Sequence, residues 1–151
     1  LPRKSINAPS GLSCGLIRAR KTASLPTFTK VILETASDGQ ARFREEAIHL
    51  DQGDSPTYLS AIMPASGLQL RHSTPGFRST VHVTTQPQWV FILQGMMEIG
   101  LPDGSSRVFR AGEHFYSADT LPEGIEFDPK IHGHWSRQVG DEPLVTAFVK
   151  V

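Results

Sequence analysis

From Thr29 onward the chain alternates short apolar or period-two runs with clusters of turn formers, the pattern of half-buried strands joined by tight connections. Residues 30–34 form the first run, and the turn Ser37-Asp38-Gly39 separates it from residues 41–50. The stretch from Asp51 to Pro56 breaks the chain before residues 57–63. Leu68, Leu70 and His72 then alternate with Gln69 and Arg71 and stop at Pro75-Gly76. Residues 78–84 and 88–93 follow, and Gly95 allows a turn into residues 96–101. The hairpin turn Pro102-Asp103-Gly104-Ser105 leads to residues 107–110. Residues 114–117 precede a polar, proline-bearing loop over 118–130, and residues 132–139 and 144–150 are the last two strands. No segment carries the apolar spacing of an amphipathic helix, and no internal repeat is visible. The succession predicts an all-β domain, a double-stranded jelly-roll barrel over residues 29–151.

The remaining 28 residues read differently. Residues 1–33 contain six lysines or arginines and no acid, with frequent serine and proline. An N-terminal arm over 1–28, partly ordered or docked on the barrel, is expected. The apolar centre at residues 12–17 is too short for a secretory signal. Over the whole chain fifteen basic and fifteen acidic residues cancel, which argues against a broad nucleic-acid footprint. No apolar run is long enough to span a membrane as a helix. Cys14 is the single cysteine, so no disulfide can form within the chain, and a reducing, cytoplasmic setting is expected.

The residues with chemical potential lie in the second half. Between Gly76 and Gly95 the chain places His82, Thr84 and Gln88 at spacings of two and four. Side chains two apart on a strand share a face, so His82 goes with Thr84, Gln88 with Val90 and Ile92, and His132 with His134 and Ser136. The segment resembles the first motif of the cupin superfamily, G-x5-H-x-H-x3/4-E-x6-G, with every spacing kept. Thr84 stands for the second histidine and Gln88 for the carboxylate. Gly104-x5-Arg110-x-Gly112-Glu113 resembles the turn before the family's second motif, G-x5-P-x-G-D. Gly133-His134 matches the glycine and histidine that follow. The resemblance covers about residues 29–151 and implies a barrel in which His82, Gln88 and His134 converge, with His132 above them.

A full ligand set in that family is three histidines and a carboxylate. The matching positions here supply two imidazoles, an amide and a hydroxyl, with no anion, which favours metal-free chemistry with no cofactor. The alternative is a single divalent transition metal (Fe, Zn, Ni or Mn) held by His82, His134 and Gln88, in a dioxygenase whose site is completed by His132 or Glu98. Without a metal, two facing histidines suit proton transfer, with Gln88 as polar anchor. The expected function is isomerisation, cyclisation, dehydration or decarboxylation of a small carbonyl compound, aromatic or polyketide-like. A non-catalytic ligand-binding barrel is the further alternative. Thr84, His132, Trp89, Phe115, Tyr116, Trp135 and Arg71 are the expected substrate contacts. Arg71, Arg78 and Arg137 are candidates to clamp a substrate carboxylate. A homodimer is expected, with residues 12–17 and the strand at 30–34 covering exposed sheet edges.

Overall fold

A computed structural model describes residues 23–151, and the described chain is built from strands: β1 (Thr27–Thr35), β2 (Ala41–His49), β3 (Gln52–Asp54), β4 (Thr57–Leu59), β5 (Gly67–Ser73), β6 (Gln88–Gln94), β7 (Met96–Gly100), β8 (Ser106–Arg110), β9 (His114–Ala118), β10 (Trp135–Val139) and β11 (Leu144–Lys150). A six-stranded sheet runs β2-β1-β9-β6-β11-β5, and a three-stranded sheet runs β10-β7-β8. Isolated bridges from Arg78 to Arg137 and from His82 to His134 widen the smaller sheet on its β10 side. The strands β3 and β4 form a separate hairpin. This is the double-sheet jelly-roll barrel expected from the strand pattern and implied by the cupin resemblance.

The barrel's interior divides along its length because the inward residues change character. On β6 the inward side chains run from Ile92 through Val90 to Gln88, and on β11 from Leu144 through Thr146 and Phe148 to Lys150. Leu33, Ile92, Ile99, Leu101, Phe109 and Leu144 pack one end into a dry core. Fully burying each large apolar side chain stabilises by about 1.5–3 kcal/mol, so this end holds the sheets together. Polar residues occupy the other end, which stays hollow.

Three local expectations are corrected. Residues 78–84 touch the smaller sheet only through two bridges rather than forming a continuous strand. The strand expected over 57–63 stops at Leu59, and residues 60–66 run irregularly. The strand at 30–34 covers no edge: β1 is flanked by β2 on one side and β9 on the other, leaving β2 and β5 as the sheet's edges. The other proposed cover, residues 12–17, lies outside the described residues, as does Cys14. No helix among the described residues is long and apolar enough to cross a membrane.

Candidate functional site

The two motif histidines are paired by their main chains. His82 N–H donates to the His134 carbonyl and His134 N–H to the His82 carbonyl, both at 2.9 Å. Gly133 makes this approach possible. Its φ is +76°, and a Cβ there would overlap the His82 carbonyl oxygen. The rings consequently sit side by side, with centroids 4.6 Å apart and planes inclined by 55°.

Each ring has one nitrogen committed. His82 Nδ1 lies 2.8 Å from the Thr80 carbonyl, which can only accept, so Nδ1 carries the hydrogen. His134 Nδ1 lies 2.6 Å from Asp119 Oδ2. Thr84 Oγ1 donates to Asp119 Oδ1 at 2.7 Å, which spends its single hydrogen. Ser117 therefore donates to Thr84 across the 2.6 Å contact between their hydroxyls. Asp119 accepts from Thr84 at one oxygen and faces His134 Nδ1 with the other, and in a neutral ring a hydrogen on Nδ1 leaves Nε2 as the bare nitrogen of each imidazole. Asp119 is completely shielded from solvent, at 0% exposure. The segment carrying it is fixed by parallel pairing of Ala118 with Glu34 and by a Thr35 hydroxyl donating to the Thr120 carbonyl at 2.9 Å.

Asp119 is the site residue the sequence reading missed, and it overturns the expectation of a site with no anion. The signal was there: Phe115 and Ser117 face inward on β9, and the same parity carried past the strand's end reaches Asp119. The polar, proline-bearing composition of residues 118–130 predicts a loop there instead.

These groups border a cavity of about 360 Å³, lined among others by Gln69, Arg71, Gln88, Met97, Phe115 and Phe148. Arg71 reaches it from β5, its guanidinium carbon 5.2 Å from the Phe77 ring centroid and 4.9 Å from that of Phe148. Its Nε and Nη2 are buried with no hydrogen-bond partner among the described residues. Burial holds the Arg71 guanidinium below its ordinary pKa. Lys150 is the other formally charged side chain in the lining.

Of the residues singled out from sequence, His82, Thr84, Gln88, His134, Phe115 and Arg71 all line this cavity. Four do not. Trp89 and Tyr116 pair across β6 and β9 on the outer face of the large sheet, where Lys30 Nζ sits 4.8 Å and 3.8 Å from their ring centroids. Trp135 faces out of the small sheet, with Arg78 at 4.3 Å and Arg137 at 5.9 Å from its ring. Neither arginine is therefore a cavity clamp. His132 is turned away because β10 begins only at Trp135, and the positive φ of Gly133 breaks the parity assumed to link residues 132 and 134. Its Nδ1 accepts the Asp128 N–H at 2.9 Å. Glu98 also points outward, pairing with Arg137 and accepting from the Ser106 hydroxyl at 2.6 Å, contacts that together hold its carboxyl below the usual range, the Ser106 bond foremost.

The donor set bears on the metal alternative. Two imidazole Nε2 atoms and the Gln88 amide are offered to the cavity, while both oxygens of Asp119 are engaged. Among the described residues no group of three or more His, Cys, Asp or Glu is placed to hold a metal ion. With Glu98 and His132 directed elsewhere, neither completes the ligand set, and the cavity offers two imidazoles and an amide with no free carboxylate.

No family model and no curated protein matches the chain. Among solved structures it is similar to the Schizosaccharomyces pombe Cnp3 cupin domain, at 12% identity and a TM-score of 0.38, over 83% of this chain and 84% of that one.

Proposed function

We propose that the cavity is the active site of an enzyme acting by metal-independent acid–base chemistry on a small carbonyl compound. The observation that supports this reading is the buried Asp119 held against His134 Nδ1 at 2.6 Å, beside a second histidine at the wall of an open cavity. A buried carboxylate that orients an imidazole and offsets the charge developing on it is the arrangement by which a histidine is readied as a base.

In the proposed reaction His134 Nε2 removes a proton from the carbon next to the substrate carbonyl. The C–H electron pair moves into the carbon framework and gives an enolate. Asp119 offsets the positive charge on the His134 ring, and the Gln88 amide donates to the enolate oxygen. Where the substrate carries a β,γ double bond the enolate is a dienolate. His82, protonated at Nε2 from solvent beforehand, then gives its proton to the γ-carbon, which moves the double bond into conjugation and completes an isomerisation. For a β-hydroxy substrate His82 would instead give its proton to the hydroxyl, which leaves as water while the enolate pair forms the Cα–Cβ double bond, so both outcomes share the first step.

The test is turnover of enolisable carbonyl compounds followed by exchange of the α-proton for deuterium in NMR. Wild-type protein is expected to catalyse the exchange without added metal and in the presence of a chelator. Exchange that stops with chelator, or that persists in His134→Ala, would overturn the reading.

A further inference from the structure

Arg71 is set apart from the other arginines of the described chain. Arg42 pairs with Asp38, Arg44 with Glu34 and Glu46, Arg107 with Glu45, and Arg137 with Glu98. Arg78 stacks on Trp135, and Arg110 is exposed to solvent. Arg71 alone among them has guanidinium nitrogens that are both buried and unbonded. Contacts with the Phe77 and Phe148 rings offset part of this. They supply no acceptor for the two N–H groups, and a buried donor left unmade is costly. No aspartate or glutamate lines the cavity to serve instead.

The unbonded atoms are themselves informative. Nε and Nη2 lie on one edge of the guanidinium and present two parallel N–H donors, the fork that matches the two oxygens of a carboxylate. Both atoms are shielded in this conformation, so gripping a ligand in the cavity requires the side chain to turn away from the two phenylalanine rings. Lys150 adds a second positive charge to a lining that holds no acid. Arg71 stands on β5 of the larger sheet, whereas His134 is bridged to His82 at the margin of the smaller one. Facing sheets lie about 10 Å apart, so a molecule gripped at one wall and reacting at the other is small. A cavity of about 360 Å³ agrees, falling at the lower end of the usual range for ligand sites.

We propose that Arg71 anchors a carboxylate on the substrate, so that the cavity takes a small organic acid whose carbonyl end reaches the histidines. This rests on the acid–base reading for its reactive end but is separable from it, because anchoring needs Arg71 and not His134.

Isothermal titration with matched probes separates the two: benzoate against benzamide, and acetoacetate against acetoacetamide. Each pair shares its shape and differs in charge. The carboxylate is expected to bind about tenfold or more tightly than its amide, the scale of a charged hydrogen-bonded contact. Arg71→Gln should erase that preference, Arg71→Lys should keep part of it, and Lys150→Gln should weaken it less than Arg71→Gln does. His134→Ala should keep the full preference while losing proton exchange. Equal affinity within both pairs, absence of carboxylate binding, or a preference that survives Arg71→Gln would overturn the proposal. Arg71→Met gives an independent readout. Removing an uncompensated buried cation is expected to raise the melting temperature, whereas a fall would mark Arg71 as a packing residue and overturn the anchor role.

Discussion

The large sheet has a hollow on each face, and β6 and β11 contribute to both. The inner one, about 360 Å³, holds His82, His134, Gln88 and Arg71, with Asp119 buried behind His134. The outer one, about 340 Å³, lies under residues 60–65 and is lined by Phe28, Ile48, Met63, Trp89, Phe91 and Val149, with no titratable side chain in its wall. Along β6 the assignment switches at every residue: Gln88 and Val90 in, Trp89 and Phe91 out. Apolarity alone favours the outer hollow, since ligand sites are mostly apolar. Chemistry favours the inner one, because only there are basic nitrogens and a carboxylate brought within bonding distance. Convergent polar groups are the better guide to reactivity than a well-formed greasy surface.

Substitutions on the two faces should therefore differ in what they damage. The largest effect is expected from Asp119→Asn, which turns an acceptor into a potential donor toward His134 Nδ1 and favours the wrong tautomer. Steady-state kinetics should show kcat reduced by about 10³–10⁴, the scale known for such a change in a catalytic triad. His82→Ala and His134→Ala should each cost about a hundredfold or more in kcat while the melting temperature shifts little. On the outer face, Trp89→Ala should reverse that profile. Denaturant unfolding should register a loss of about 3–5 kcal/mol, typical of truncating a buried aromatic, with turnover nearly unchanged. If Trp89→Ala removes activity as fully as His134→Ala, the division between the faces fails.

Gln88→Glu sharpens the comparison from the inside. A carboxylate beside two free imidazole nitrogens makes a two-histidine, one-carboxylate set. Calorimetry with Fe, Ni or Zn should show affinity gained over wild type, together with loss of native activity. Tight binding by the wild type would count against metal-free chemistry. The smallest effect belongs to the outer aromatic cluster. His114 stacks on Phe28 at 4.7 Å, and burial, with help from Arg107 and Lys30 against Glu113, lowers its pKa from 6.5. The folded state therefore binds fewer protons than the unfolded one between the lowered value and the ordinary one. Stability from this group is present above about pH 6.5 and lost as pH falls through that window. His114→Phe should flatten this limb of the melting-temperature profile against pH.

The sequence disclosed the strands best where alternation was clean. On β6 and β11 inward and outward residues were readable by parity, and the spacing from His82 to Gln88 placed three cavity residues correctly. Errors arose where parity was carried across a backbone irregularity or not carried far enough. Parity puts His132 on the face of His134 only if it runs unbroken through Gly133, whose positive φ resets the direction of the chain. Trp89, Tyr116 and Trp135 were drawn toward the site because large rings near a motif suggest a pocket wall, although their strand positions put them outside. Asp119 escaped notice for the opposite reason. It lies one residue beyond β9, in a segment whose polar composition concealed its burial. The pairing that fixes it, with Glu34 some eighty positions earlier, leaves no local trace.

The reciprocal bonds between the main chains of His82 and His134 have a consequence for how this protein can diversify. The spacing of the two rings is inherited from peptide groups, so it does not depend on the identity of the side chains around the cavity. Gln69, Val90, Met97 and Phe148 can be exchanged, and the range of accepted molecules altered, without disturbing the register of the reacting pair. Gly133 has no such latitude, since any side chain there collides with the His82 carbonyl and forces the two segments apart. In a library randomised at all five positions, the four wall residues should drift widely while residue 133 returns as glycine.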